Sequence, residues 1–304
     1  MSLPRIVFMG SPAFAVPSLR ALTGSVVGVV TQPDRPAGRG RAPAPCAVKQ
    51  AALDLGLPVL QPEKMRDALD QLRAWRPDLI VVAAFGKILR PDVLELPPLG
   101  CLNAHASLLP RHRGAAPIPA ALLAGDAETG ITLMQMDPGL DTGPILIQRP
   151  TPILATDTAA ALTVRLAALA AELLPDSLPD VLAGKLKPIP QDETLATYAP
   201  QLKKEDGLLH FTESAVALER RVRAMSDWPG AFVNYNGAPL KILRAHIRRD
   251  RLAAPGRVIK VDSQPVIGTA EGALVLDEIQ PAGKKPMSGA SFLNGNPNFV
   301  GSQL

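Results

Sequence analysis

The chain has 304 residues, 47% hydrophobic and 20% charged, a balance ordinary for a soluble globular protein with a full core. A formal net charge of +4 permits an anionic partner without demanding one, and proline is about twice as frequent as usual, at 32 residues. Two distant cysteines, Cys46 and Cys101, and four histidines with no i, i+4 pair argue against a disulfide framework or a metal site. The first residues run straight into a strand with no signal-peptide pattern, and Arg165 and Glu172 interrupt the longest apolar run. The expectation is a cytoplasmic, soluble protein.

Residues 5–10 form an apolar run ending in glycine, the pattern of a parallel strand buried on both faces. Ser11-Pro12 starts a helix to about Leu22, and residues 26–30 make a second strand. Gly-Ser-Pro-Ala-Phe-Ala after the first strand is not the GxGxxG fingerprint, so no nicotinamide site is expected. Residues 31–45 read as a long structureless loop in which Arg35, Arg39 and Arg41 face a single acid, Asp34. Such a loop suits phosphate contact; equally, its arginines can serve only to keep a connection solvated.

Helices are predicted at 48–55 and 66–75, with strands at 58–60 and 79–83. The second of those strands leads into Phe85-Gly86-Lys87-Ile88-Leu89. A strand at 100–103 then changes character. Asn103 and His105 are two residues apart, so an extended backbone turns both side chains to one face. An amide and an imidazole side by side suit a carbonyl that gains negative charge; a satisfied core histidine is the plain alternative. Ser107-Leu108-Leu109-Pro110 turns the chain, and Arg111, His112 and Arg113 follow. A helix at 117–124, a strand at 131–136 and a tight loop at 137–143 containing Asp141 complete the pattern. Strands alternating with helices indicate an α/β fold with a doubly wound, mostly parallel sheet. The Phe85, His105 and Asp141 segments all follow strands, so all three can reach one crevice.

An amphipathic helix is expected over 157–174, then a linker at 189–205, dividing a domain of residues 1–188 from one of 206–304. A helix at 214–225 carries Arg220, Arg221 and Arg223. Short strands at 231–234, 240–245, 256–261, 265–269 and 274–280 suggest a small antiparallel barrel of OB-like type. Between Lys241 and Lys260 seven basic residues, Arg248 and Arg249 among them, stand against Asp250 alone. A basic barrel face is a platform for nucleic acid, or an ordinary solvated face.

Several stretches together resemble one family. They are Phe-Met-Gly-Ser-Pro at 8–12, Thr-Gln-Pro-Asp-Arg-Pro-Ala-Gly-Arg-Gly at 31–40, NAHASLLPRHRGAAPI at 103–118, Gly-Asp-Ala-Glu-Thr-Gly at 125–130, Gly-Leu-Asp-Thr-Gly at 139–143 and Gln-Pro-Ala-Gly-Lys-Lys-Pro-Met at 280–287. The chain resembles the folate-dependent formyltransferases, and the arginine loop and basic barrel narrow the resemblance to the methionyl-tRNA formyltransferase family. The resemblance implies a Rossmann-like domain that uses 10-formyltetrahydrofolate as cosubstrate, with no metal, and formylates initiator Met-tRNA. It implies a catalytic trio of Asn103, His105 and Asp141. It puts Phe85, Gly86, Lys87, Ile88, Leu89, Ser107, Leu108, Leu109, Pro110 and Leu140 around the folate, and Arg35, Arg39, Arg41, Arg248 and Arg249 on tRNA. From the interrupted apolar run no membrane association is expected, and no obligate protein partner is evident.

The chemistry is coherent on these residues. Formyl transfer between nitrogens develops an oxyanion, for which the Asn103 amide and a protonated His105 are the expected donors. Asp141 is placed to support the charged imidazole and to help move protons. Rival readings are formyl transfer to an amino-sugar nucleotide, hydrolysis of the formyl donor, a nucleotide-dependent oxidoreductase and a non-catalytic RNA-binding protein.

Overall fold

The structure is a computed structural model and describes residues 3–37 and 42–304. The chain divides into two compact units. The first comprises residues up to 117 together with 128–152 and 163–200. The second comprises 118–127, 153–162 and 201–304.

In the first unit the elements run β1 (Ile6–Gly10), α1 (Val16–Ala21), β2 (Val26–Val30), β3 (Arg35–Ala37), β4 (Ala42–Ala44), α2 (Ala47–Asp54), β5 (Val59–Leu60), α3 (Leu69–Trp75), β6 (Leu79–Ala83), α4 (Pro91–Leu94), β7 (Cys101–His105) and β8 (Arg113–Gly114). After α5 (Pro117–Ala124), nearly all of which counts with the second unit, come β9 (Glu128–Gln135), β10 (Ile145–Pro152), α6 (Ala159–Leu182), whose first residues also count with the second unit, and β11 (Tyr198–Ala199). Among the described residues a seven-stranded sheet has the order β10-β9-β7-β6-β1-β2-β5. The five strands from β7 to β5 are parallel, and β9 and β10 join antiparallel at one side.

Every residue of β1, β6 and β7 is buried. That agrees with the continuous apolar runs, because helices cover both faces of such strands. On one face Val7, Met9, Ile80, Val82 and Cys101 pack with Leu72, Phe85, Leu89 and Val93. Each fully buried aliphatic side chain there contributes about 1.5–3 kcal/mol. The chain leaves β1 toward β2 and β5 and then returns to its other side as β6. That reversal is the switch point at which such sheets bind ligands.

Several elements differ from the sequence reading. The 31–45 loop is not structureless: β3 and β4 pair antiparallel, with Pro36 opposite Pro43. Two prolines fit opposite each other at a position where neither needs to donate to the ladder. Strand β10 was not predicted, and it contains Pro150 and Pro152. It is an edge strand, where proline is tolerated. Helix α6 continues through Pro175 and Pro179 to Leu182. Both prolines are exposed, so the carbonyls they free one turn earlier can be hydrated.

The second unit is built on α7 (Ala215–Ala224), β12 (Phe232–Tyr235), β13 (Ala238–Arg248), β14 (Val258–Val261), β15 (Gln264–Gly268), β16 (Ala273–Pro281), β17 (Met287–Ser288) and α8 (Gly289–Gly295). Its antiparallel sheet runs β12-β13-β16-β15-β14, with β17 on β16. The small β domain anticipated from turn spacing is therefore a half barrel with β12 and β14 at its edges. Tyr235, Phe292 and Phe299 meet edge to face at ring-centroid distances of 4.8–6.3 Å, an aromatic cluster contributed partly by the unpredicted α8. The arginines of α7 are used internally. Arg220 donates to Ala124 O at 3.4 Å and Arg223 to Asp157 O at 3.0 Å. Arg221 donates to both Glu213 oxygens at 3.0 Å.

Candidate active site

Asn103 and His105 lie on the buried end of β7, opposite Met134 and Thr132 of β9. Their period-2 spacing gives them one face, and they are 8% and 5% exposed. Asp141 comes from the 136–144 loop, with φ of 53°, in the left-handed region. A non-glycine residue is held there at a cost of about 1–3 kcal/mol, which the surroundings must offset.

The three side chains meet. Asn103 Nδ2 donates to Asp141 Oδ1 at 3.1 Å, and His105 Nδ1 lies 3.5 Å from Asp141 Oδ2. Asp141 Oδ2 also accepts from the Gly114 backbone N–H at 2.9 Å. The turn carboxylate of this loop is a different residue, Asp137, which accepts from Gly139 N at 3.0 Å and from Thr142 Oγ1 at 2.7 Å. Asp141 is thereby left to face β7.

The imidazole is oriented from behind. His105 Nε2 is 2.9 Å from the His112 carbonyl oxygen. A carbonyl only accepts, so Nε2 carries the proton and the ring exchanges protons through Nδ1, the nitrogen turned to Asp141. The sequence reading assigned His105 a donor role without specifying the nitrogen; in this arrangement only protonated Nδ1 can fill it. Asn103 Nδ2 has two hydrogens, one spent on Asp141 and the second available to an oxyanion.

The stretch 110–116 is laced to 191–199. Arg113 N donates to Thr197 O at 2.8 Å, His112 N to Thr197 Oγ1 at 2.8 Å, and β8 pairs parallel with β11. Gly114 has φ of 119°, and a Cβ there would come within 2.6 Å of Ala199 O, so this close approach requires glycine. Arg113 is wholly buried. Its Nη1 and Nη2 donate to Glu193 at 2.9 and 2.8 Å, and its Nε donates to Gln191 Oε1 at 3.0 Å. The hydrogen bond from Arg113 holds the Glu193 carboxyl below the usual glutamate range.

Residues named from the sequence as folate contacts are arranged unevenly. Phe85 and Leu89 are each 2% exposed and turn into the core, while Lys87 Nζ is tied to the Pro62 and Glu63 carbonyls at 2.8 and 2.9 Å. What this loop offers a ligand is its backbone around Gly86 and the exposed side chain of Ile88. Leu140, on the loop carrying Asp141, is likewise exposed. The Ser107–Pro110 turn is fixed by Ser107 Oγ donating to Arg111 O at 2.6 Å and by Leu109 N donating to Thr132 Oγ1 at 3.1 Å. Cys101 is packed, and burial pushes its thiol up to about 12, which suits a strand residue and not a nucleophile.

Of the arginines named for tRNA, Arg39 and Arg41 lie outside the described residues. Arg35 donates to Gln32 Oε1 at 2.9 Å, and Gln32 Nε2 donates to Phe85 O at 2.9 Å, joining the foot of β3 to the loop after β6. In the second unit Arg248 lies 3.5 and 3.6 Å from Asp250 and Asp262, whereas Arg249 is exposed. Sequence reasoning missed Gly114, Arg113, Gln191 and Glu193. Signals were available in the Arg-Gly pair that ends the His105 segment and in the polar run 191–194, which read as linker.

A formyl transferase family model matches residues 7–178, and a formyl transferase C-terminal domain model matches 201–297. A methionyl-tRNA formyltransferase of Myxococcus xanthus is 50% identical over 308 aligned positions, covering 100% of this chain and 98% of that protein. One from a Roseiflexus species is 49% identical, covering 96% and 92%. Among solved structures, the sugar 3N-formyl transferase WlaRD superposes with a TM-score of 0.69 at 17% identity, covering 94% of this chain and 100% of that one. HypX from Aquifex aeolicus in complex with tetrahydrofolic acid gives 0.63 at 20%, covering 98% and 48%. At such identities these two structures speak for the fold. With both of its units matched and half its residues shared end to end, the chain belongs to the formyl transferase family, among the methionyl-tRNA formyltransferases.

Proposed function

We propose that this chain transfers the formyl group of 10-formyltetrahydrofolate to the α-amino group of methionine on initiator tRNA, and so serves translation initiation in the cytoplasm. The observation that carries this reading is identity near 50% over both units to proteins named for that activity. A sugar formyltransferase likeness extends only to the fold. No helix among the described residues is long and apolar enough to cross a membrane.

The folate supplies an activated formyl group; the chain supplies orientation, charge stabilisation and proton movement. Asn103 is assigned as the fixed donor to the formyl oxygen through its second Nδ2 hydrogen. His105 is assigned as the group that takes or gives a proton at Nδ1, its Nε2 hydrogen being held on the His112 carbonyl. Asp141 Oδ2, 3.5 Å from Nδ1, is farther than a formed hydrogen bond, the loose spacing usual for catalytic pairs before substrate arrives. Its carboxylate favours the imidazolium as charge develops. The exposed apolar Ile88 and Leu140, with the Ser107–Pro110 turn, are assigned to the flat rings of the folate.

In this proposal residues 1–188 carry formyl transfer together with 189–200, which pack into the same unit, and the unit built on 201–304 holds the tRNA. Arg35, Arg39 and Arg41 contact the acceptor end, and Arg248 and Arg249 contact phosphates farther along. The test offers 10-formyltetrahydrofolate with charged initiator tRNA or with an amino-sugar nucleotide. Formylation of Met-tRNA is expected, and exclusive formylation of the sugar would overturn the reading.

A further inference from the structure

Asp141 sits in a left-handed conformation, so the direction of its side chain depends on how its own peptide is held. Gln191 does the holding. Its Nε2 donates to Asp141 O at 2.8 Å and to Gly143 O at 2.7 Å, spending both hydrogens on two carbonyls of the loop. Its Oε1 accepts from Arg113 Nε at 3.0 Å. This fixes the amide orientation without ambiguity, because guanidinium only donates and carbonyls only accept. Gly143 is so close to the Gln135 carbonyl that a Cβ would overlap it, so this seat of the loop requires glycine.

Arg113 ties the two ends together. Its side chain anchors Gln191, and Gly114, the next residue, donates through its backbone N–H to Asp141 Oδ2. Glu193 is the counter-charge that lets a wholly buried guanidinium stay there. Asp141 is thus gripped at its carbonyl by Gln191 and at its carboxylate by Gly114, two segments that Arg113 joins.

We infer that Gln191, seated by Arg113 and Glu193, is a positioning residue for the reaction: it aims the Asp141 carboxylate at His105 by clamping the Asp141 and Gly143 carbonyls. This rests on the formyl transfer reading. None of the three side chains touches the reacting atoms, so the clamp acts on turnover and not on binding either substrate.

The test measures Gln191→Met, which keeps the length of the side chain and removes its three hydrogen bonds, and Glu193→Gln, which removes the counter-charge of Arg113 at an exposed side chain. Both are measured with whichever acceptor the wild-type chain formylates, so failure of the Met-tRNA reading shows in the wild type alone. A misaimed catalytic group costs up to about a hundredfold, and Gln191→Met is expected to lower kcat by roughly ten- to a hundredfold. KM for folate and for the acceptor should stay within about twofold, with Glu193→Gln showing a smaller fall of the same kind. In an Asp141→Asn background, read by single turnover, Gln191→Met should add little, because the group it aims is already disabled. A full multiplicative loss in the double variant, or a lowered Tm with kcat unchanged, would make the clamp purely structural and overturn the inference.

Discussion

Replacing Asn103 by alanine tests the assignment of the charge-stabilising donor most directly. The side chain is 8% exposed, so bulk water does not simply take its place, and it supplies one N–H to Asp141 at 3.1 Å. Asp141 keeps Gly114 N at 2.9 Å and Gln191 on its carbonyl, so the carboxylate stays aimed when Asn103 is removed. The loss is then mainly the second N–H, the one assigned to the formyl oxygen. Losing one preorganised oxyanion donor costs about 2.7–4 kcal/mol of transition-state stabilisation, or roughly 10²–10³ in rate. The assay is a quenched single-turnover reaction with 10-formyltetrahydrofolate and charged initiator tRNA, beside a direct folate titration. The rate should fall by that factor while folate affinity changes by less than about threefold. A matching loss of folate affinity would reassign Asn103 to binding; a rate loss below about tenfold would remove it from the oxyanion.

Three further outcomes follow from the geometry. Glu193 has its carboxyl held low by Arg113, so the stabilisation it provides is present above the ordinary glutamate range and lost as pH falls through its depressed folded value. The Tm gap between wild type and Glu193→Gln should therefore be widest near neutral pH and narrow as the pH falls below the ordinary glutamate range; a gap independent of pH would refute the pairing. A thiol reagent should label Cys46 in the native chain and reach Cys101 only on unfolding, since Cys101 is buried with its thiol raised to about 12, and mass spectrometry of the labelled peptides decides it. Arg249→Ala should lower the salt slope of tRNA binding by roughly 0.7–0.9. Arg248→Ala should lower it less, because Asp250 and Asp262 already lie near that guanidinium. Equal slopes for both variants and wild type would take this strand off the tRNA.

The sheet was legible where strands are buried on both faces. The runs at β1, β2 and β6 are continuous and apolar, and the helix at 117–124 was read to the residue. What escaped was structure that tolerates proline for reasons of position: an edge strand for β10, exposed turns for α6, a facing proline pair for β3 and β4. The site divided in a similar way. Asn103, His105 and Asp141 have polar or ionisable side chains in compact motifs, so they could be named, and the structure brings them together. The contacts that orient them end on main-chain atoms, the His112 and Asp141 carbonyls and the Gly114 N–H, which no residue type reveals. Gln191 lies 50 positions from Asp141 in a stretch whose composition reads as a connection.

That division has a mechanistic consequence. Asp141 is fixed at three atoms: Oδ1 by Asn103, Oδ2 by Gly114 N, and its carbonyl by Gln191. Only the first of these partners also faces the assigned position of the formyl oxygen. The carboxylate is accordingly in place before either substrate binds, and binding energy is not needed to organise it. The imidazole is prepared in the same way, with Nε2 committed to a carbonyl and Nδ1 alone left to the reaction. The functions therefore come apart under mutation. Asn103→Ala removes charge stabilisation while leaving the proton pair aimed. Asp141→Asn removes the charge beside the imidazole while leaving Asn103 a polar neighbour. Gln191→Met leaves all three reactive side chains present and changes only where one of them points. A site organised by its substrates would give three similar losses, each with weakened binding. Three distinct kinetic patterns with binding preserved are what a site organised by its own backbone requires.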